Sequence, residues 1–135
     1  MATIFTKIIE GEIPGRFVWR DDQVVAFLTI EPLNPGHVLV LPIEEVDHWL
    51  DLEPSLLNHL MDVAQIIGRG VDRAFAPQKV GMMIAGLEVP HVHVHVVPMH
   101  GMRDLDFANA DSSPSSDSLD EAHNRILSAL IELGN

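Results

Sequence analysis

The spacing of apolar positions predicts a short helix followed by a β-hairpin at the start of the chain. Apolar residues at helical spacing cover Ile4 to Ile9, with Thr3 in the position of an N-cap and Gly11 placed to end the helix in a left-handed conformation. β-branched and aromatic residues from Phe17 to Trp19 and from Gln23 to Leu28 then flank a pair of aspartates. This arrangement is typical of antiparallel strands joined by a tight turn.

Later runs of apolar residues predict the remaining strands of the sheet. The run from Pro35 to Pro42 follows a Pro-Gly turn signal and carries His37 near its start. The runs from Lys79 to Ala85 and from His91 to Val97 are separated by turn-like residues. With the hairpin, they predict a five-stranded antiparallel sheet.

The middle of the chain has the apolar spacing of a long helix, which is expected to begin at Pro54 and continue to Ala74. Gly68 and Gly70 each weaken this helix by roughly 1 kcal/mol relative to alanine. Either close packing tolerates these glycines or the helix bends there. A shorter helix is expected just before it, from Glu44 to Leu50.

The end of the chain predicts a polar loop and a terminal helix. Serine, proline and aspartate fill the loop from Asp111 to Asp117. Ser118 and Glu121 form a capping-box pattern, and Gly134 follows the last apolar position. The sheet and these helices together predict an α+β fold with one long helix, a short N-terminal helix and a C-terminal helix.

Composition and charge narrow the possible functions. The 135 residues fit one domain. A formal charge of −12, with only eight Lys and Arg, opposes general binding to nucleic acid or anionic membranes. The chain has no cysteine, which excludes disulfides and thiolate zinc clusters, and it shows no signal peptide or membrane span. We therefore expect a soluble cytoplasmic protein with no nucleic-acid or membrane partner.

Three histidines alternate with valines in the segment from His91 to Val97. In an extended chain this period projects His91, His93 and His95 from one face and the valines from the other. Three imidazoles make poor core material unless each ring nitrogen finds a partner. The alternatives are a histidine-rich surface strand and a metal site. Neighbouring histidines would lie about 6 to 7 Å apart, and the outer pair about twice as far. A single ion could therefore bind two of them and a ligand from elsewhere more easily than all three.

A phosphate-containing ligand suits this array better, because successive imidazoles can contact successive positions around one phosphorus atom. The central residue, His93, is best placed to attack that atom. A neutral imidazole is nucleophilic near physiological pH, and a phosphoryl-imidazole intermediate divides one displacement into two. The flanking histidines can donate hydrogen bonds to the phosphate oxygens.

The alternating histidine segment resembles the signature of the histidine triad (HIT) superfamily. Three earlier segments resemble landmarks of its nucleotide-binding-protein branch, in the bacterial form: Thr3 to Pro14, Asp21 to Phe27, and Pro35 to Pro42. They occur in the family order over residues 3–97. The resemblance predicts a single HIT domain over residues 1–135, with the triad core at about 3–98 and a C-terminal loop and helix at about 99–135.

The resemblance implies a homodimer with a continuous sheet and an enzyme that acts at the α-phosphate of a purine nucleotide such as AMP, as a phosphoramidase-like hydrolase. It implies that His93 attacks the phosphorus, that His91 and His95 bind or orient the phosphate region, and that His37 completes the cluster. Water then resolves the nucleotidyl-histidine intermediate. The base and ribose pocket would be lined by apolar residues, each of which could equally be plain core: Phe5, Ile8, Ile13, Phe27 and Ile30.

Several positions near the expected nucleotide depart from the family pattern. Family members commonly carry Asp where Thr29 stands, and threonine could make only a weaker contact with the ribose. The turn before the triad, Gly86 to Val89, has Leu87 and Glu88 where the family has glutamine and a small hydroxyl residue. Leu87 cannot donate a hydrogen bond, and Glu88 could either protonate a departing group or repel the phosphate.

No metal and no cofactor is expected. Some bacterial members of the family bind a structural zinc through two N-terminal cysteines and further histidines. In this chain the cysteines are absent and Glu45 occupies the expected position of one histidine.

The sequence leaves more than one functional hypothesis open. The first is a phosphoramidase, with a dinucleoside polyphosphate hydrolase as its nearest rival. The second is a nucleotide-sensing or partner-binding dimer with little turnover, which the residues Leu87 and Glu88 favour. A metal-buffering role for the same imidazoles is the weakest of the alternatives.

Overall fold

The computed structural model describes residues 2–135, which form an antiparallel five-stranded sheet and three α-helices. This confirms the predicted α+β fold, including the long helix and the helices near each end of the chain. Along the chain the elements are α1 (Ile4–Ile9), β1 (Phe17–Arg20), β2 (Val24–Leu28), β3 (Val38–Pro42), α2 (Pro54–Phe75), β4 (Lys79–Met83), β5 (Val94–Met99) and α3 (Ser116–Glu132).

The strands lie in the order β1-β2-β3-β5-β4, and every neighbouring pair is antiparallel. In this register Leu39 of β3 lies opposite Phe27 of β2 and opposite His95 of β5. Residues directly opposite one another in antiparallel strands point to the same side of the sheet. We call the side that carries Phe27, Leu39 and His95 the histidine face.

The two faces of the sheet are covered by different helices. The face opposite the histidine face carries valines such as Val94 and Val96, which pack with buried residues of α2 and α3 in the main core. On the histidine face, Phe5 and Ile9 of α1 pack against Phe27 and its neighbours in a second, smaller cluster. The alternation of histidine and valine therefore separates the core from the site, as predicted.

β5 differs from the predicted strand because it begins at Val94 rather than at His91. The backbone N–H of Val92 donates to the carbonyl of Val46, at 2.8 Å, instead of to a residue of a neighbouring strand. The same bond holds Val46 outside a helix, so the helix predicted from Glu44 to Leu50 was wrong. Only a single 3₁₀ turn forms nearby, at Trp49–Asp51.

The cap of α3 also differs from the prediction. Ser115, rather than Ser118, is the N-cap, and its hydroxyl oxygen accepts a hydrogen bond from the backbone N–H of Ser118 at 3.1 Å. The serine-rich loop thus offers an earlier N-cap, and α3 begins at Ser116.

Two glycines owe their positions to close packing. A Cβ atom at Gly70 would lie 2.8 Å from Leu130, so the close packing of α3 favours glycine at this position. The helix α2 continues through it. Gly36 has a φ of +99°, which favours glycine, and a Cβ there would lie 2.5 Å from the ring of Phe75. The Pro-Gly turn before β3 therefore brings the backbone close to α2 and positions His37 at the start of the strand.

Within residues 2–135, no helix combines the length and the apolar character that crossing a membrane requires.

Candidate active site

Four histidines gather on the histidine face, although they come from two separate parts of the chain. His37 precedes β3, His91 and His93 precede β5, and His95 lies within β5. All four side chains are buried. The structure thus brings together every histidine that the sequence assigned to the site.

His37 and His95 form a directional pair. The backbone N–H of Leu33 donates to Nδ1 of His37 at 3.0 Å, so this nitrogen carries no proton. The proton of the neutral His37 ring is therefore on Nε2, which lies 2.9 Å from Nδ1 of His95 and donates to it. As a consequence, the neutral ring of His95 carries its own proton on Nε2.

His91 and His93 are ordered by backbone carbonyls. Nδ1 of His93 lies 2.7 Å from the carbonyl oxygen of His91, which can only accept, so Nδ1 carries the proton and Nε2 presents a free lone pair. Nε2 of His91 donates in the same way to the carbonyl of Pro42 at 2.7 Å. The remaining nitrogen of His91, Nδ1, lies 3.1 Å from the hydroxyl oxygen of Thr3. Both ring nitrogens of His91 are therefore occupied within the protein, and this ring can orient its neighbours.

Burial keeps all four imidazoles neutral near physiological pH. It lowers the pKa of His37 to about 3, with a further contribution from the neighbouring His95 and His93. Burial, and then electrostatic interaction with the neighbouring His93, lowers the pKa of His95 to about 4. Burial also lowers the pKa of His91 and of His93, although hydrogen bonds to carbonyl oxygens oppose the effect in both. A neutral imidazole is the form that acts as a nucleophile.

A small cavity lies beside His93 and His95. Its volume is about 110 Å³, and the other lining residues are Phe107 and the turn from Ala85 to Glu88. Within residues 2–135, every side-chain nitrogen or oxygen that is fully buried has a hydrogen-bond partner. Nε2 of His93 and Nε2 of His95 have no such partner, so neither atom is fully buried and both are accessible. Because small-molecule pockets usually measure roughly 300 to 1,000 Å³, a nucleotide would extend beyond this cavity.

Two phenylalanines flank the imidazoles of His93 and His95. The ring of Phe5 lies edge-to-face on His93 with centroids 4.8 Å apart, and His93 lies in the same manner on His95 at 4.8 Å. Phe107 closes the row on the other side, with its centroid 5.0 Å from that of His95. The row extends from α1 to the segment that follows β5.

The residues predicted to line a nucleotide pocket divide into several groups. Phe5, Phe27, Ile8 and Val89 belong to the apolar cluster beneath α1, where Phe5 and Phe27 are buried. The turn residues Gly86, Leu87 and Glu88 line the cavity beside His93, and the side chain of Leu87 is 95% exposed.

Thr29, Ile13 and Ile30 lie apart from that cavity. Thr29 lines a separate cavity of about 90 Å³ together with His37, and its hydroxyl oxygen accepts a hydrogen bond from the backbone N–H of Glu31. Ile13 is half-buried, and Ile30 is 65% exposed. These three residues therefore do not share one enclosed pocket with the imidazoles of His93 and His95.

Sequence reasoning missed three side chains of the site. Phe107 lies on a short 3₁₀ turn, which leaves no periodic pattern that could have indicated its position. Thr3 was recognised only as a helix cap, and Glu45 only as a replacement for a zinc ligand. In the structure Thr3 contacts His91, and Glu45 accepts hydrogen bonds from the backbone N–H of Thr3 and from the hydroxyl of Thr6. Within residues 2–135, no group of three or more histidine or acidic side chains is arranged to hold a metal ion.

The model of the HIT domain family matches residues 10–102 of the chain. An uncharacterized HIT-like protein of Methanocaldococcus jannaschii is 37% identical over 102 residues, which cover 72% of this chain and 78% of the relative.

Solved structures resemble the whole fold. A HIT-like protein of Bartonella henselae, involved in cell-cycle regulation and crystallised with an unknown ligand, matches with a TM-score of 0.83 and 31% identity over 94% of this chain and 95% of that one. A zinc-bound histidine triad family protein of Mycobacterium smegmatis matches with a TM-score of 0.85 and 25% identity over 99% of this chain and 96% of that one.

Proposed function

The chain belongs to the HIT domain family, and we propose that it is a phosphoramidase-like hydrolase that acts at the α-phosphate of a purine nucleotide. Membership of the family supports a nucleotide-binding protein of hydrolase or transferase type. The observation that carries the finer proposal is the proton arrangement of His93. Its Nδ1–H is held by the carbonyl of His91, and its Nε2 is free, neutral and accessible.

In the first step, Nε2 of His93 forms a bond to the α-phosphorus while the bond from phosphorus to the leaving nitrogen breaks. The departing amine takes up a proton from water. The imidazole becomes positively charged as it is phosphorylated, and its hydrogen bond from Nδ1 to the carbonyl of His91 stabilises that charge. Nε2–H of His95 faces the same cavity and donates to a phosphate oxygen.

In the second step, water attacks the phosphorus and the bond to Nε2 of His93 breaks. The nucleoside monophosphate leaves, the proton of the attacking water enters solution, and His93 returns to its neutral form. The roles of the other histidines follow from their hydrogen bonds. His37 fixes the proton of His95, and His91 fixes that of His93.

The nucleoside is proposed to lie outside the small cavity, on the side of His93 where α1 packs. The apolar cluster of Phe5, Ile8, Phe27 and Val89 lies beside His93 and offers contacts to a base, and the half-buried Ile13 and exposed Ile30 would lie at its outer edge. Thr29 is proposed as a weak ribose contact, because its hydroxyl already serves the local turn. The turn residues Gly86, Leu87 and Glu88 would then face the leaving group.

The test is release of a fluorogenic amine from an adenosine 5′-phosphoramidate. We expect release by the wild-type protein and a loss of at least about 1,000-fold in His93→Ala, as is typical when the nucleophile of a covalent mechanism is removed. The matched control is His100→Ala, which removes an exposed histidine that lies outside the cluster. Equal release by wild type and His93→Ala would refute the proposal.

A second candidate is a nucleotide-sensing dimer with little turnover. The exposed apolar side chain of Leu87 at the cavity favours it, because this residue cannot donate a hydrogen bond to a leaving group. Calorimetry with AMP separates the candidates when it is run beside the amine-release assay and an assay with dinucleoside polyphosphates. Binding without turnover of any substrate would favour the sensor, and turnover of the dinucleoside substrate alone would favour a dinucleoside polyphosphate hydrolase.

We also propose that two copies of the chain associate through β4. This strand lies at the edge of the sheet, and its Met82 is 55% exposed. An apolar edge strand is a ready template for pairing with a second chain. Light scattering is expected to give the mass of two chains for wild type and for Ile131→Lys, an exposed position on α3, and a smaller mass for Met82→Lys. A single-chain mass for wild type at micromolar concentration would contradict this proposal.

A further inference from the structure

Thr3, Glu45 and His91 form a connected set of hydrogen bonds at the start of α1. The hydroxyl oxygen of Thr3 lies 3.1 Å from Nδ1 of His91, and Glu45 Oε1 lies 2.8 Å from the backbone N of Thr3 and 2.7 Å from the hydroxyl oxygen of Thr6. Thr3 and His91 are separated by 88 positions in the sequence. The set therefore joins the first helix to the segment that carries the reactive histidine.

The direction of each bond follows from its partners. The carbonyl of Pro42 can only accept, so Nε2 of His91 carries the proton and Nδ1 must accept. Thr3 is thus the donor in its bond to His91, which at 3.1 Å is shorter than the contact of the same hydroxyl with the hydroxyl oxygen of Thr6, at 3.4 Å. The same hydroxyl oxygen accepts from the backbone N–H of Thr6, at 3.2 Å, as the cap of α1. One hydroxyl group hence serves both the helix and the histidine.

This arrangement matters because His91 lies in a stretch without strand pairing. β5 begins only at Val94, so the backbone at His91 is not fixed by the sheet. Its local bonds are from its own N–H to the carbonyl of Val89, at 2.8 Å, and from Val92 to Val46. The two bonds of its ring, to Pro42 and Thr3, supply the remaining constraint. His91 in turn presents the carbonyl that orients His93.

We infer that Thr3 is a positioning residue, held by Glu45, which fixes the ring of His91 and through it the orientation of the attacking nitrogen of His93. The inference rests on the proposed function for its effect on turnover. Its effect on the hydrogen bond at Nδ1 of His91 is independent of any activity.

Glu45, at the protein surface, sets the position of Thr3 through a hydrogen bond from the backbone N–H of Thr3. Its side chain is exposed, and hydrogen bonds from the backbone of Thr3 and the hydroxyl of Thr6 lower its pKa. The carboxylate is thereby ionised across the neutral range, and it holds the backbone of Thr3 where the hydroxyl reaches His91. Phe5, two residues further along α1, rests its ring on His93, so the same attachment also keeps this aromatic contact in place.

The experiment combines ¹⁵N NMR of the histidine rings with the amine-release assay. In wild type we expect His91 to carry its proton on Nε2 alone. Thr3→Val keeps the shape of the side chain but removes the donor, so we expect Nδ1 of His91 to lose its hydrogen bond and kcat to fall about tenfold or more, as when a partner that orients a functional imidazole is removed. KM is expected to change little. Thr3→Ser restores the hydroxyl and should return both readouts to wild-type values.

A second variant separates positioning from helix capping. Aspartate is a strong N-cap, so Thr3→Asp keeps α1, but it places an acceptor where His91 needs a donor. Both nitrogens of His91 then face acceptors, which favours the doubly protonated ring, and we expect kcat to fall although the fold is retained. Thr6→Val is the comparison variant: its hydroxyl contacts Thr3 and Glu45 but not the ring of His91, so the hydrogen bond at Nδ1 of His91 should be retained.

The outcomes distinguish the inference from the proposed function. A hydrogen bond still present at Nδ1 of His91 in Thr3→Val, or a wild-type proton pattern of His91 in Thr3→Asp, would overturn the inference, whatever the activity. Both expected NMR changes, with no turnover by wild type on any substrate, would uphold the structural part and reject the proposed reaction instead. Both expected NMR changes with wild-type kcat would also overturn the inference, because His93 would then be oriented without Thr3.

Discussion

Nε2 of His37 lies 2.9 Å from Nδ1 of His95 and donates its proton to it. The backbone N–H of Leu33 fixes the other nitrogen of His37 as an acceptor. This short chain of hydrogen bonds leaves His95 with its proton on Nε2, towards the cavity, without any charged group. In a protein with a formal charge of −12, an anionic phosphate must be held locally, and a correctly oriented imidazole N–H is one means of doing so.

Removal of the donor on His37 should therefore impair His95. In His37→Phe the aromatic shape is kept, but Nδ1 of His95 loses its partner and the proton of His95 is no longer confined to Nε2. We expect kcat to fall, by up to the roughly 100- to 1,000-fold that follows the loss of one donor to a transition state. His37→Gln, which retains a donor amide, should lose less. Equal kcat values for wild type and His37→Phe in the amine-release assay would show that this pair has no role in turnover.

The pH dependence of stability follows from the buried imidazoles. The pKa is about 3 for His37 and about 4 for His95 in the folded protein, against an ordinary value of 6.5 in the unfolded chain. Between these values the unfolded state binds more protons, so the free energy of unfolding falls as the pH falls below 6.5. Each of the two residues contributes up to about 1.4 kcal/mol per pH unit in that window.

Urea unfolding at a series of pH values measures this slope. The free energy of unfolding should be constant from about pH 8 to pH 7, as far as these histidines determine it, and should decline below 6.5. In His37→Phe the part due to His37 should disappear, and the decline should become shallower. A slope that is the same in both proteins would contradict the assignment.

Phe107 should control both the ionisation of His95 and access to the cavity. Its ring lies 5.0 Å from that of His95 and is 39% exposed, so it forms an incomplete cover. Because burial is the main reason that the pKa of His95 is low, Phe107→Ala should raise that pKa towards its ordinary value. Phe107→Leu keeps an apolar cover and should raise it less. An NMR titration of His95 that gives the same pKa in wild type and Phe107→Ala would exclude this role.

Gly70 and Gly68 provide a matched test of how α2 packs. A Cβ at Gly70 would lie 2.8 Å from Leu130, whereas one at Gly68 has its nearest neighbour, Val80, at 3.8 Å. Gly68→Ala should stabilise the protein by up to about 1 kcal/mol, because alanine favours a helix. Gly70→Ala gains the same amount but must displace the side chain of Leu130 on α3, at a cost of about 1 to 3 kcal/mol. Thermal unfolding should therefore give a higher Tm for the first variant than for the second, and the reverse order would contradict this account of the packing.

Much of the fold could be predicted because its elements follow simple periods. The apolar spacing from Pro54 onwards and the alternation around His93 both report which side of an element is buried. The prediction was wrong where a tertiary contact overrides the local pattern. The bond from Val92 to Val46 is such a contact, because it takes His91 out of the strand and prevents a helix at Glu44 to Leu50.

The sequence predicted which histidines form the site, but it did not predict their proton positions or the residue that covers the cavity. The proton positions of His91 and His95 depend on groups that are distant in sequence, the carbonyl of Pro42 and the ring of His37. Phe107 follows the triad in a segment of short 3₁₀ turns, which carries no periodic signal. The sequence could thus indicate which residue we propose as the nucleophile, but not how the nitrogen of that residue is held or what covers the cavity.

The central claim is that His93 forms a covalent bond to the nucleotide, and intact-mass analysis after rapid quenching tests it most directly. Wild-type protein is mixed with an adenosine 5′-phosphoramidate, quenched in alkali before one turnover is complete, and digested to locate the adduct. The account predicts a mass increase of one nucleotidyl group, located on His93 and absent from His93→Ala, while the His100→Ala control retains it. Release of the amine with no adduct, or an adduct on another histidine, would contradict it.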